Sequence, residues 1–188
     1  MIHSKSDNVR FTYAPSVLLY GAVLLLIVPI RLLLAAAISA AVHEFFHILA
    51  MCFLNVRINE IQVGIRGVKI CSQSMTQKEE LVCAISGPAG GLLLFLCGRW
   101  MPVIGLCGLV QTCYNLIPLY PTDGGRVMHC AAEMLFPAKV AKRLVYAVEV
   151  GTLSVIVAAC IYGTVFLRLG IIPMVFAASL LLRSAGRK

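Results

Sequence analysis

Six apolar stretches, at about 14–30, 32–54, 81–98, 101–120, 144–167 and 170–182, constrain this chain more than any other feature it carries. A membrane-spanning helix needs about 20 predominantly apolar residues, and most of these stretches approach that length, with Arg31, Arg99 and Arg168 standing at the breaks between them. A hydrophobic fraction of 60% and a mean hydropathy of +0.92 leave too few polar residues to cover a domain that faces water. The expected fold is an all-α polytopic membrane protein of about six transmembrane helices, organised as one domain over residues 1–188. The polar opening, MIHSKSDNVRFTYAPS, is too long for the charged region of a secretory signal, so the first apolar stretch is expected to remain as a membrane helix.

The net charge of +8 raises the question of nucleic acid, but Lys and Arg never gather into a run interleaved with aromatics, so no nucleic-acid partner is expected. Membrane topology accounts for the basic excess better. With six spans, both termini lie on one side of the bilayer. That side would hold Lys5, Arg10, Arg57, Arg66, Lys69, Lys78, Arg126, Lys139, Lys142, Arg143, Arg183, Arg187 and Lys188, against Arg31, Arg99 and Arg168 on the other. Because positive residues stay in the cytoplasm, both termini are expected there. The eight cysteines include no CxxC pair and most sit in apolar stretches, so they are expected to be small core residues rather than a disulfide framework.

The polar segment Asn55 to Glu80 breaks the helical pattern. Apolar residues alternate with polar ones at Val56, Ile58, Ile61 and Val63 ahead of Gly67, which predicts a short β-hairpin between the second and third spans.

Within the second stretch lies AAVHEFFHILAM. On a helix, residues four apart are displaced by one turn plus ~40°, so His43 and His47 face one point, as two ligands of a metal would. Glu44 lies close enough to activate a water on that metal, the arrangement that makes HExxH a signature of zinc peptidases. Two histidines and a glutamate at membrane depth are costly unless they are paired or functional. A role confined to hydrogen-bonding neighbouring helices leaves their spacing unexplained.

Catalytic zinc takes three protein ligands and leaves the fourth position open. Asp123 is the best third ligand: it follows the fourth stretch in NLIPLYPTDGG, where Pro118 and Pro121 break the helix and Gly124 and Gly125 permit unusual backbone angles. His129 is the alternative. Glu149, near the start of the fifth span, could gate substrate or pair with Arg143, and an ordinary interfacial contact is the expectation for it.

HEFFH on one membrane helix, SGPAGG at the start of another and NLIPLYPTDGG after a third resemble, in order and spacing, the site-2 protease family of intramembrane zinc metalloproteases. The resemblance covers roughly residues 30 to 130, the expected catalytic core. The short hairpin and the missing recognition domain are similar to the sporulation branch, whose members process a pro-sigma factor. The resemblance implies one zinc per chain on His43, His47 and Asp123, with Glu44 as general base and then proton donor to the leaving amine. Asn115 would orient the substrate or stabilise the oxyanion, and the hairpin would act as an edge strand that pairs with unwound substrate. The implied activity is cleavage of a transmembrane or membrane-proximal segment of a membrane-anchored protein, such as a pro-sigma or anti-sigma factor, near the cytoplasmic face. A membrane protein that binds or carries metal without proteolysis is the competing expectation.

Two positions depart from the family's pattern. Phe46 stands where a glycine usually precedes the second histidine, which narrows the packing beside the metal. The residues after the GP pair are small where a polar one is usual, which bears on substrate clamping. The family's regulatory nucleotide-binding tail is not expected here.

Overall fold

The computed structural model describes residues 10–13, 22, 24–64, 67–168 and 170–185. The chain forms two compact units, 1–112 and 113–188.

In the first unit, β1 (Arg10–Tyr13) is followed by the long helix α1 (Ile30–Phe53), then β2 (Ile58–Gly64), β3 (Gly67–Ser72) and α2 (Gln77–Leu96). A 3-10 turn at Cys97–Arg99 leads into α3 (Pro102–Asn115), whose last residues belong to the second unit. The buried residues of α1 are Ala35, Ser39, His43, His47, Ala50 and Met51, nearly all four apart, so one stripe of the helix faces protein. Helix α1 ends where Asn55 adopts φ 54°, a left-handed conformation that asparagine tolerates. The Asn55 and Val56 amides turn back to the Cys52 and Met51 carbonyls at 3.1 and 2.9 Å, closing the helix terminus.

The sheet has the order β1-β2-β3, with β1 parallel and β2 antiparallel to its next neighbour. Arg10 pairs with Glu60 and Tyr13 with Val63 across the parallel ladder. A parallel pair needs a long crossover, and the chain between Tyr13 and Ile58 supplies it. Strand β2 is therefore the centre of the sheet, and β1 and β3 are its outer strands. Leu54, Val56, Ile58, Ile70 and Met75 pack on buried Ala50, Met51 and Cys83, which seats the sheet against the ends of α1 and α2.

Helix α2 starts four residues before the apolar run that predicts it. Thr76 and Glu79 form a reciprocal capping box: the Thr76 amide donates to Glu79 Oε2 at 2.7 Å and the Glu79 amide to Thr76 Oγ1 at 3.4 Å.

The second unit holds α4 (Asp123–Leu135), α5 (Ala138–Val165) and α6 (Ile172–Ala185). Phe136, extended ahead of Pro137, separates α4 from α5, and Ala132, Ala141 and Val145 with Met128 pack the two together.

Among the described residues, three helices are long and apolar enough to cross a membrane: α1, the Gln77–Arg99 segment and α5. The fourth apolar stretch does not run helical to residue 120. Helix α3 stops at Asn115 after 14 residues, or ~21 Å, because Pro118 has no amide to continue it and disfavours helix at Ile117. Helix α6 also has 14 residues. Most of the first apolar stretch lies outside the described residues.

Candidate metal centre

His43 and His47 are 3% and 6% exposed on the buried stripe of α1. Their rings meet edge to face with centroids 4.8 Å apart, and their Nε2 atoms stand 3.2 Å from each other. The Nδ1 of His47 lies 2.7 Å from the Cys83 carbonyl on α2. A carbonyl only accepts, so Nδ1 carries the hydrogen and Nε2 presents its lone pair. Ser86 Oγ donates to the same carbonyl at 2.6 Å and flanks His47 Nδ1 at 3.4 Å, which further orients the ring.

These donors suit zinc. Two nitrogens held ~2.0–2.1 Å from a tetrahedral ion stand ~3.3 Å apart, close to the observed separation, and an imidazole whose second nitrogen is tied to a carbonyl is the usual form of a ligating histidine. Glu44 is half-buried at the next position of α1.

Space for the pair comes from α2. A Cβ on Gly87 would collide with His47 Nε2 and would stand 2.7 Å from His43 Cε1. One turn on, a Cβ at Gly90 would come within 2.6 Å of the Phe46 ring. The bulk of Phe46, the residue that departs from the family's pattern, is thus received by the missing side chain of Gly90. Sequence reasoning used SGPAGG as a marker and missed this function. The signal was available: Cys83, Gly87, Gly90 and Gly91 form a small-residue face of the kind on which membrane helices approach closely.

Asn115 and Asp123 lie in the second unit. Asn115 ends α3 and is half-buried. Asp123 is the first residue of α4, 6% exposed, with Arg126 Nη1 at 3.6 Å from its Oδ1. The irregular segment 116–122 before it is tied together by Thr122, whose hydroxyl reaches the Ile117 and Leu119 carbonyls at 2.5 and 2.7 Å and accepts from the Gly125 amide at 3.3 Å as the N-cap of α4.

The two glycines after Asp123 do not serve the purpose that the sequence suggests. Among the described residues the positive-φ glycine is Gly170, so Gly124 and Gly125 have ordinary helical backbones. They are needed for approach. A Cβ on Gly124 would run into the Leu116 carbonyl, and one on Gly125 would stand 2.6 Å from the Leu119 carbonyl carbon.

His129, the alternative ligand, is 44% exposed on α4 with its Nδ1 3.6 Å from Glu133 Oε1. Glu149 is 9% exposed, and its Oε1 accepts the Tyr120 amide at 3.2 Å.

No protein-family model matches the chain. It is 33% identical over 113 residues, 52% of its own length, to a Synechocystis sp. protein named "putative zinc metalloprotease", and it spans 29% of the length of that relative. Its fold is similar to that of the site-2 protease from Methanocaldococcus jannaschii, with a TM-score of 0.59, 17% identity, and coverage of 91% of this chain and 84% of that one.

Proposed function

We propose that this chain is a zinc-dependent intramembrane endopeptidase of the site-2 protease type, with one zinc per chain. The observation that carries the reading is the pair of buried imidazoles on α1, a helix apolar enough to span a bilayer, with Nε2 atoms 3.2 Å apart and the His47 tautomer set by Cys83. Burying such a pair in lipid without a task is costly. The likeness in fold to a site-2 protease and in sequence to a named metalloprotease supports the same reading.

In this proposal His43, His47 and Asp123 hold the metal. Zinc bound there supplies Lewis acidity that makes water a competent nucleophile near neutral pH and polarises a carbonyl. Glu44 takes the proton from the attacking water and passes it to the departing amine. Asn115 orients the scissile segment or donates to its developing oxyanion. The substrate is a transmembrane or membrane-proximal segment of a membrane-anchored protein, cut near the cytoplasmic face. Such a segment must unwind first, because a helix hides its carbonyls in its own hydrogen bonds. Substrates with helix-breaking residues near the cut are therefore expected, and a pro-sigma or anti-sigma factor of the sporulation kind fits that description. The chain crosses a bacterial cytoplasmic membrane six times with both termini in the cytoplasm, as its basic residues favour.

Co-expression with a panel of single-span substrates, including pro-sigma-like and anti-sigma-like segments, tests the reading. Glu44→Gln should lower cleavage at least ~100-fold while the purified protein keeps its zinc, and His43→Ala should lose both. A non-proteolytic carrier would tolerate Glu44→Gln. Failure of the wild type to process any panel member would overturn the peptidase reading.

A further inference from the structure

Glu149 is the twelfth residue of α5 and lies five residues, or ~8 Å, past the start of the apolar stretch at about 144. A buried carboxylate inside the apolar part of such a helix needs a partner. Its Oε1 accepts the Tyr120 backbone amide, in the irregular stretch between α3 and α4.

That stretch has a particular difficulty. Irregular backbone at membrane depth must have its polar groups satisfied by protein. Pro118 and Pro121 contribute no amide. The Ile117, Leu119 and Thr122 amides bond to nearby carbonyls at 3.3, 2.8 and 2.9 Å, all within the segment or the end of α3. The Tyr120 amide sits between the two prolines and bonds instead to a side chain from another helix. Three residues later comes Asp123. Thr122 and the glycine pair lock Asp123 to the segment from within, and Glu149 fixes the segment to α5.

We propose that Glu149 is a positioning residue: by accepting the Tyr120 amide it holds segment 116–122, and through it Asp123, in the geometry that metal binding requires. This rests on the proposed metal site and deepens it. Glu149 touches neither metal nor substrate. It acts through backbone that a mere change of composition in lipid would not repair.

The test uses the full chain in detergent micelles, with Glu149→Leu to remove the acceptor and Glu149→Gln to retain an acceptor oxygen without charge. Two readouts are taken: Co2+ affinity from its visible absorption, and exchange of the Tyr120 amide in 15N-tyrosine-labelled protein. Glu149→Leu should bind cobalt at least tenfold more weakly and exchange that amide at least tenfold faster, and Glu149→Gln should stay within about threefold of wild type in both. Wild-type cobalt affinity in Glu149→Leu would overturn the inference, as would failure of Glu149→Gln to rescue. If Glu149→Leu does not fold, wild type and Glu149→Gln still decide: a Tyr120 amide that exchanges in either at the rate of an unstructured peptide overturns the contact. A wild type that binds no cobalt, while its Tyr120 amide stays protected, refutes the proposed metal site and leaves the Glu149 contact standing. Cobalt binding that His43→Ala abolishes and Glu149→Leu spares refutes the positioning role alone.

Discussion

The stretch around His43 and His47 and the stretch around Asp123 are both offered to one proposed metal, yet they are built on opposite plans. On α1 the two imidazoles owe their alignment to the helix itself, since any regular helix brings residues four apart to one side. Around Asp123 no regular element does that work. Its placement depends on Thr122 spanning two carbonyls, on two glycines pressed against the backbone of residues 116–120, and on Glu149 reaching in from α5. Ligands set by helix periodicity tolerate changes nearby, whereas a ligand set by tertiary bonds inherits the fragility of each.

The largest break should come from Gly124→Ala. Its Cβ would meet the Leu116 carbonyl, which belongs to the backbone and cannot rotate away. Overpacking of this kind costs ~1–3 kcal/mol or more, so the melting temperature in detergent should fall and zinc occupancy of the recovered protein should drop by more than half. Gly87→Ala probes the α1 plan with a comparable collision against side chains instead, His47 and His43. A side chain can rotate away where a backbone carbonyl cannot, so thermal stability should fall less than for Gly124→Ala, while zinc affinity weakens measurably by competition with a chelator. If Gly87→Ala proves the more destabilising of the two in a thermal melt, the contrast between the plans is wrong.

A smaller effect is expected from Thr122→Ala, which removes an N-cap worth ~1 kcal/mol and the donor shared by two carbonyls. Metal affinity should fall severalfold with the fold intact by circular dichroism. The finest test is a double-mutant cycle on Phe46 and Gly90. Gly90→Ala alone should destabilise through the Phe46 ring 2.6 Å from the added Cβ, and Phe46→Ala should relieve it, giving a coupling of ~0.5–3 kcal/mol. Additive changes would mean that the ring does not depend on the gap.

The same contrast governs what could be read from the sequence. HEFFH was legible because its geometry is local, and the structure brings those imidazoles together as the spacing predicts. Helix ends were less so, because hydropathy reports what lies in lipid and not what is helical. Helix α2 begins at a polar capping box, and α5 begins at Ala138 and carries Lys139, Lys142 and Arg143 through its first turns. Strand β1 gave little signal, having four residues and a partner about fifty positions away. The glycines after Asp123 were visible but their purpose was not, since a collision with Leu116 exists only in three dimensions. Glu149 was singled out as a carboxylate near lipid, yet no local pattern ties it to Tyr120.

The three-stranded sheet has a directional consequence. Because β2 runs with β1 on one flank and against β3 on the other, its own ladder positions are already taken, and the two outer strands point opposite ways. A guest peptide that docked antiparallel would have to arrive head first on one flank and tail first on the other. The flank it chose would decide which end of the guest led the way.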